Sequence, residues 1–151
     1  RHGRLRQIGD GQNVISTTYV ENAAAAHIQA ANQLEPDATH AGKAYFINEP
    51  ESVKLWDWIN SLLELAELPT VTRSISTRNA RRLGTALEML WRTLMLTGEP
   101  PMTRFLAEQL ATSHSFTIQA AQRDFGYQPI IDVDEGLRRV TPHLKQLAQV
   151  S

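Results

Sequence analysis

The chain has 151 residues, 42% of them hydrophobic, enough to bury one core and too few for two independent domains. Its 15 Lys and Arg stand against 16 Asp and Glu, a formal charge of -1, which disfavours a sequence-independent nucleic acid binder. Cysteine is absent, which excludes disulfide frameworks, thiolate metal sites and cysteine nucleophiles and fits a cytoplasmic setting.

The basic opening, with Arg1, Arg4 and Arg6, has no apolar stretch behind it as a secretion signal would need, and it reads as a cut through a longer protein. "IGDGQN", Ile8 to Asn13, has the glycine spacing of a tight turn between two short strands, the second being "VISTTYV". Glu21 or Asn22 then starts a helix of about Asn22 to Leu34, which ends before Pro36. Lys43 to Asn48, "KAYFIN", has the aromatic and β-branched content of a strand. After Ser52 the spacing of Leu55, Trp58, Ile59, Leu62 and Ala66 predicts an amphipathic helix.

"PTVTRSI" alternates Val71, Arg73 and Ile75 with Thr72 and Ser74, as a further strand does. A long helix follows, roughly Thr77 to Leu96, stopped by Gly98 and the Pro100-Pro101 pair. Met102 to Ala111 predicts a short helix, and His114 to Phe116 a brief strand. Thr117 to Pro129 reads as a helix capped by Gly126. Asp132 with Glu135 begins a last helix, with Leu137, Val140, Leu144 and Leu147 inward and Pro142 expected to kink or shorten it.

Chemistry is sparse. There is no G-x-G-x-x-G, no P-loop and no G-x-S-x-G, and none of the five histidines forms a zinc-type pair. His27 has the type of a general base, but a half-buried helix histidine explains it more simply. Glu21 and Asn22 could orient a substrate hydroxyl, yet a helix cap accounts for both. The Ser and Thr residues around Thr17 lack a local Asp or His partner, so nucleophilic catalysis has no support.

Leu83 to Leu96 holds Glu88 and Arg92 and is too short to span a bilayer. Leu83, Leu87, Leu90 and Leu94 make one stripe, and Ala86, Met89, Trp91 and Met95 add a second apolar face. That face calls for a partner, a ligand pocket or lipid headgroups, with burial on both sides the simpler reading.

Three blocks carry a resemblance. Gly9, Gly11 and Asn13, then Thr18 to Asn22, then Ala26, His27, Ala30 and Ala31 resemble the G-x-G-x-N turn, T-[FY]-V-[ED]-N strand end and A-H-x-x-A-A helix of the 3β-hydroxysteroid dehydrogenase/isomerase branch of extended short-chain dehydrogenases/reductases. That branch includes sterol-4α-carboxylate 3-dehydrogenases. "GKAYFINEPESVKLWDWINSL" and "SFTIQAAQRDFGYQPIIDVDEGLRRV" resemble two later blocks of it in order and spacing, with weaker agreement from about Pro69 to Thr112.

The resemblance implies an α/β fold, mostly helical with a few short strands: the C-terminal substrate-binding region of an NAD(P)-dependent enzyme whose N-terminal Rossmann half is missing here. Residues 1–151 would form one such region, with 1–34 joining the missing sheet and 35–151 making a small α/β part. The family's Tyr-x-x-x-Lys set and glycine-rich loop would lie upstream of Arg1. No catalytic or cofactor residue is therefore expected in this chain; NAD or NADP would be held by the other half.

Nucleotide-sugar epimerases of the superfamily often have an arginine where this chain has Ile15, which favours a hydrophobic secondary alcohol or ketone, sterol-like or long-chain, over a nucleotide sugar. Ile15, Thr17 and Tyr19 along one strand face, with Trp91 and Met95 as an apolar wall, are the expected substrate contacts. The missing Rossmann half and a second copy are the expected protein partners, and peripheral membrane contact stays open. A nucleotide-sugar epimerase or dehydratase, and a non-catalytic module of the same fold, are the rival readings.

Overall fold

A computed structural model describes residues 5–150; Arg1, His2 and Arg4 lie outside the described residues. The strands are β1 (Gln7–Ile8), β2 (Val14–Ile15), β3 (Val53–Lys54) and β4 (Ser74–Ile75). The helices are α1 (Val20–Asn32), α2 (Leu55–Leu65), α3 (Thr77–Thr93), α4 (Arg104–Gln109), α5 (Gln119–Phe125) and α6 (Val133–Val150). This is the α/β, helix-rich arrangement with few short strands that the sequence implies.

The glycine turn separates two strands as expected, but they join different sheets. β1 pairs in parallel with β4, Gln7 opposite Ser74, whereas β2 pairs antiparallel with β3, Ile15 opposite Val53. The expected strand at His114 to Phe116 is reduced to a bridge between His114 and Ile15. The predicted strands at "VISTTYV" and "PTVTRSI" keep only two residues each, and Lys43 to Asn48 forms none. That last segment is tied to residues 17–18 by Glu49 N to the Thr17 carbonyl (2.8 Å) and by Thr18 Oγ1 to the Ile47 carbonyl (2.8 Å). A strand needs a neighbour's ladder as well as suitable side chains.

α1 starts at Val20, two residues earlier than predicted, and neither Glu21 nor Asn22 is its cap; Tyr19 holds that position and has no side-chain cap bond. Ala25 and Ala26 are buried, and Ala26 packs with Ile118, Ala121, Phe125 and Tyr127. Val20 and Ile28 remain exposed on the other side. α5 ends at Gly126, which takes the left-handed conformation (φ 72°) as the sequence predicts. α6 opens with the Asp132 carboxylate accepting from the Glu135 amide (2.8 Å) and runs through Pro142 without being shortened. Leu137, Val140 and Leu144 are half-buried, but Leu147 is exposed.

A second core gathers Ile8, Trp56, Ala80 and Ala107, bringing β1, α2, α3 and α4 together. Here the sequence reading of α3 needs correcting. Its inward line is Ala80 and Gly84 with half-buried Leu87 and Trp91, while Leu83, Leu90 and Leu94 of the leucine stripe are exposed. Small residues win the inward side because α4 comes so close: a Cβ on Gly84 would lie 2.6 Å from the Thr103 carbonyl carbon and 2.7 Å from the Arg104 nitrogen. Gly84→Ala is therefore expected to lose about 1–3 kcal/mol by forcing the two helices apart, even though alanine is the better helix former by about 1 kcal/mol. A urea melt that shows the variant as stable as the parent would remove this account.

Candidate functional site

The residues expected to meet substrate fall in three places. Thr17 and Tyr19 line a cavity of about 170 Å³ with Glu49, Trp58, Leu137 and Val140. Ile15 is half-buried in β2 beside Val53 and does not line it. Trp91 is half-buried, with its Nε1 enclosed and unpartnered, and Met95 is 89% exposed beyond the end of α3. The structure thus brings Thr17 and Tyr19 together and leaves Ile15, Trp91 and Met95 outside that cavity.

Why the chain folds this way locally is set by two buried polar side chains that the sequence reading did not select for the site. Asn22 is fully buried on α1. Its Nδ2 donates to Glu49 Oε1 (2.8 Å) and the Ile131 carbonyl (2.7 Å), and its Oδ1 accepts from the amides of Ile130 (2.8 Å) and Ile131 (2.9 Å). Glu49 is 3% exposed, and its Oε1 also accepts from the Tyr19 amide (3.0 Å). The carboxylate therefore serves the first turn of α1 from outside the helix, satisfying an amide there and complementing the dipole. Burial, and after it the charge of Glu49, pushes the Tyr127 hydroxyl pKa up.

Within the cavity the Tyr19 ring lies against Gly136 of α6, 3.2 Å from where a Cβ would stand. Thr17 Oγ1 is enclosed without a partner. Apolar walls, one unused hydroxyl and one buried carboxylate can hold a small apolar group and accept or donate one hydrogen bond. His27 is exposed rather than half-buried, its Nδ1 2.7 Å from the Ala23 carbonyl of its own helix, and it faces none of this.

Beside the site one ion pair joins α6 to α1, and two more lie within α6. Arg139 reaches Glu21 (2.7 Å) and Glu135 (2.6 Å), and Arg138 also pairs with Glu135 (2.6 Å). Hydrogen bonds from Arg138 and then Arg139 hold the Glu135 carboxyl down to about 2. Hydrogen bonds from Arg123 and then the Tyr45 hydroxyl do the same for Asp124, also to about 2. A carboxyl depressed in the folded state gives stability that is full above its unfolded value, about 4, and is lost as pH falls through about 2. The urea midpoint should thus hold from neutrality to about pH 5 and drop below about pH 4, with the Asp124→Asn/Glu135→Gln pair flattening the drop. An unchanged acid slope in that double variant would assign the loss elsewhere.

A dinucleotide needs a strand-to-helix turn rich in glycine whose helix N-terminus is open to a pyrophosphate. The turn from β2 into α1 has no glycine, and the Glu49 carboxylate already occupies the helix end with charge of the wrong sign. The turns into α2 and α3 have no glycine either. These residues do not fit an NAD(P) site.

Residues 1–75 match the model of the 3-beta hydroxysteroid dehydrogenase/isomerase family. The chain is 50% identical over 140 residues to a 2-alkyl-3-oxoalkanoate reductase of Stenotrophomonas maltophilia, covering 93% of this chain and 42% of that protein. It is 28% identical over 153 residues to the decarboxylating sterol-4-alpha-carboxylate 3-dehydrogenase of Homo sapiens, covering 99% and 41%. Its fold is similar to that of UDP-glucuronic acid 4-epimerase from Bacillus cereus, solved with NAD, with a TM-score of 0.55 at 15% identity over 93% of this chain and 34% of that one. The chain spans about two fifths of the length of the curated relatives it matches. The chain is thus similar to the 3-beta hydroxysteroid dehydrogenase/isomerase family over its first 75 residues, and to these reductases and dehydrogenases over more than nine tenths of its own length.

Proposed function

We propose that the chain is the substrate-binding portion of an NAD(P)-dependent oxidoreductase acting on a secondary alcohol or ketone of a hydrophobic, long-chain or sterol-like substrate. The observation that supports this most is the 50% identity to a 2-alkyl-3-oxoalkanoate reductase. The apolar cavity at Thr17 and Tyr19 agrees with it in character. Chemistry is assigned to a dinucleotide-binding half that acts as partner to this chain, since the 151 residues hold no Tyr-x-x-x-Lys set. The same reading keeps self-association, a cytoplasmic setting and peripheral membrane contact as expectations. No helix among the described residues is long and apolar enough to cross a membrane.

The test is NADH or NADPH oxidation followed with a long-chain 2-alkyl-3-oxo acid and, separately, a UDP-sugar. The 151-residue chain alone is expected to be inactive, and the intact protein to turn over the oxo acid. Turnover by this chain alone, or by the intact protein on the UDP-sugar only, would overturn the reading.

A further inference from the structure

A second, larger cavity of about 670 Å³ lies between α2, the segment 68–73 and the last turns of α6. Sites for small ligands occupy about 300–1,000 Å³, are mostly apolar and carry a few polar groups that fix orientation. The walls here are Ile59, Leu63, Leu68, Val71 and Leu144, all half-buried, so the space is walled by hydrocarbon yet open. Among the described residues, Arg73 is the one charged residue of the lining.

The charges at the rim decide what chemistry suits it. Glu67, between the lining residues Ala66 and Leu68, is already taken: Lys145 donates to its carboxylate at 2.5 Å, which lowers its pKa, and its backbone is held at φ 59°. Arg73 is exposed and makes no ion pair among the described residues. The local acid is thus neutralised while one guanidinium is not, beside a hydrocarbon cleft. Such a site complements an amphiphile with an anionic head.

We propose that this cavity binds a single-chain alkyl carboxylate, the chain along Leu63, Val71 and Leu144 and the carboxylate on the Arg73 guanidinium. The site is separate from the cavity at Thr17 and Tyr19, sharing only Leu62 with it, and it does not depend on which reaction the whole enzyme performs.

The experiment is calorimetric titration of this chain with sodium dodecanoate below its micelle concentration, alongside dodecan-1-ol and dodecyltrimethylammonium. Saturable one-site binding of dodecanoate is expected, with the alcohol and the ammonium each about tenfold weaker or worse. Arg73→Gln should weaken dodecanoate about tenfold and leave the alcohol unchanged. Val71→Trp should abolish binding, and Ala148→Trp, placed on the half-buried wall of α6, gives the same block where Val71→Trp fails to melt cooperatively.

Equal affinity for the ammonium would overturn the proposal. So would dodecanoate binding that survives a folded Trp variant. A dimer in sedimentation that the Trp variants abolish, with no dodecanoate bound by the parent, would give the cleft to a second copy instead.

Discussion

Asn22→Ala is expected to cost about 3–5 kcal/mol, at the upper end for a single substitution, and to lower the thermal midpoint by about 10 °C or more. The side chain is fully buried and makes four hydrogen bonds at once, to Glu49, to the Ile131 carbonyl and from the Ile130 and Ile131 amides. Alanine removes the partner and leaves those groups enclosed, which is the expensive way to lose a hydrogen bond. Asn22→Asp isolates the cause. It keeps an acceptor for the two amides, loses the donor, and sets a second carboxylate against Glu49 in a buried place. Its deficit should therefore be at least that of alanine at neutral pH and should shrink toward about pH 5, as protonation restores a donor. An aspartate variant whose deficit ignores pH, or an alanine variant that melts like the parent, would show that the network contributes little.

Trp56→Ala should be comparably damaging, about 3–5 kcal/mol, because the side chain is 1% exposed and fills the centre of the core formed with Ile8, Ala80 and Ala107. The revealing comparison is with Trp56→Phe. The indole Nε1 is enclosed and has no hydrogen-bond partner, so replacing it deletes a desolvated donor and no bond. Phenylalanine should therefore cost far less than alanine, about 1 kcal/mol, although it leaves a smaller void. Urea melts of both variants decide this. Equal losses would mean that the indole is paired in solution.

Much of the helical framework could be read from local pattern. The apolar spacing of Leu55, Trp58, Ile59, Leu62 and Ala66, the glycine stop at Gly126 and the Asp132–Glu135 pair describe contacts made within a few residues; the last two stand in the structure, and the first finds α2 but leaves out Trp56, its buried residue. What could not be read was set by distant partners. Lys43 to Asn48 has the composition of a strand but lacks a ladder beside it. On α3 the leucines invite an inward assignment, whereas the close approach of Thr103 selects Ala80 and Gly84. Of the expected site, Thr17 and Tyr19 share a cavity, while Trp91 and Met95, chosen for their apolar character, lie elsewhere. Glu49 escaped notice because nothing in "INEPE" signals an acid that serves a helix thirty residues back.

That borrowed carboxylate has a kinetic side. α1 is only 13 residues long and, for all its six alanines, has no side-chain cap of its own, so its first turn is a poor nucleus. The acid that would stabilise it arrives only when the intervening chain has closed back to place Glu49 beside Tyr19, a loop whose entropy must be met first. Helix growth and the docking of residues 47–49 are thus expected to be coupled in folding. The alanine-rich segment thereby depends for its first turn on a residue far along the chain.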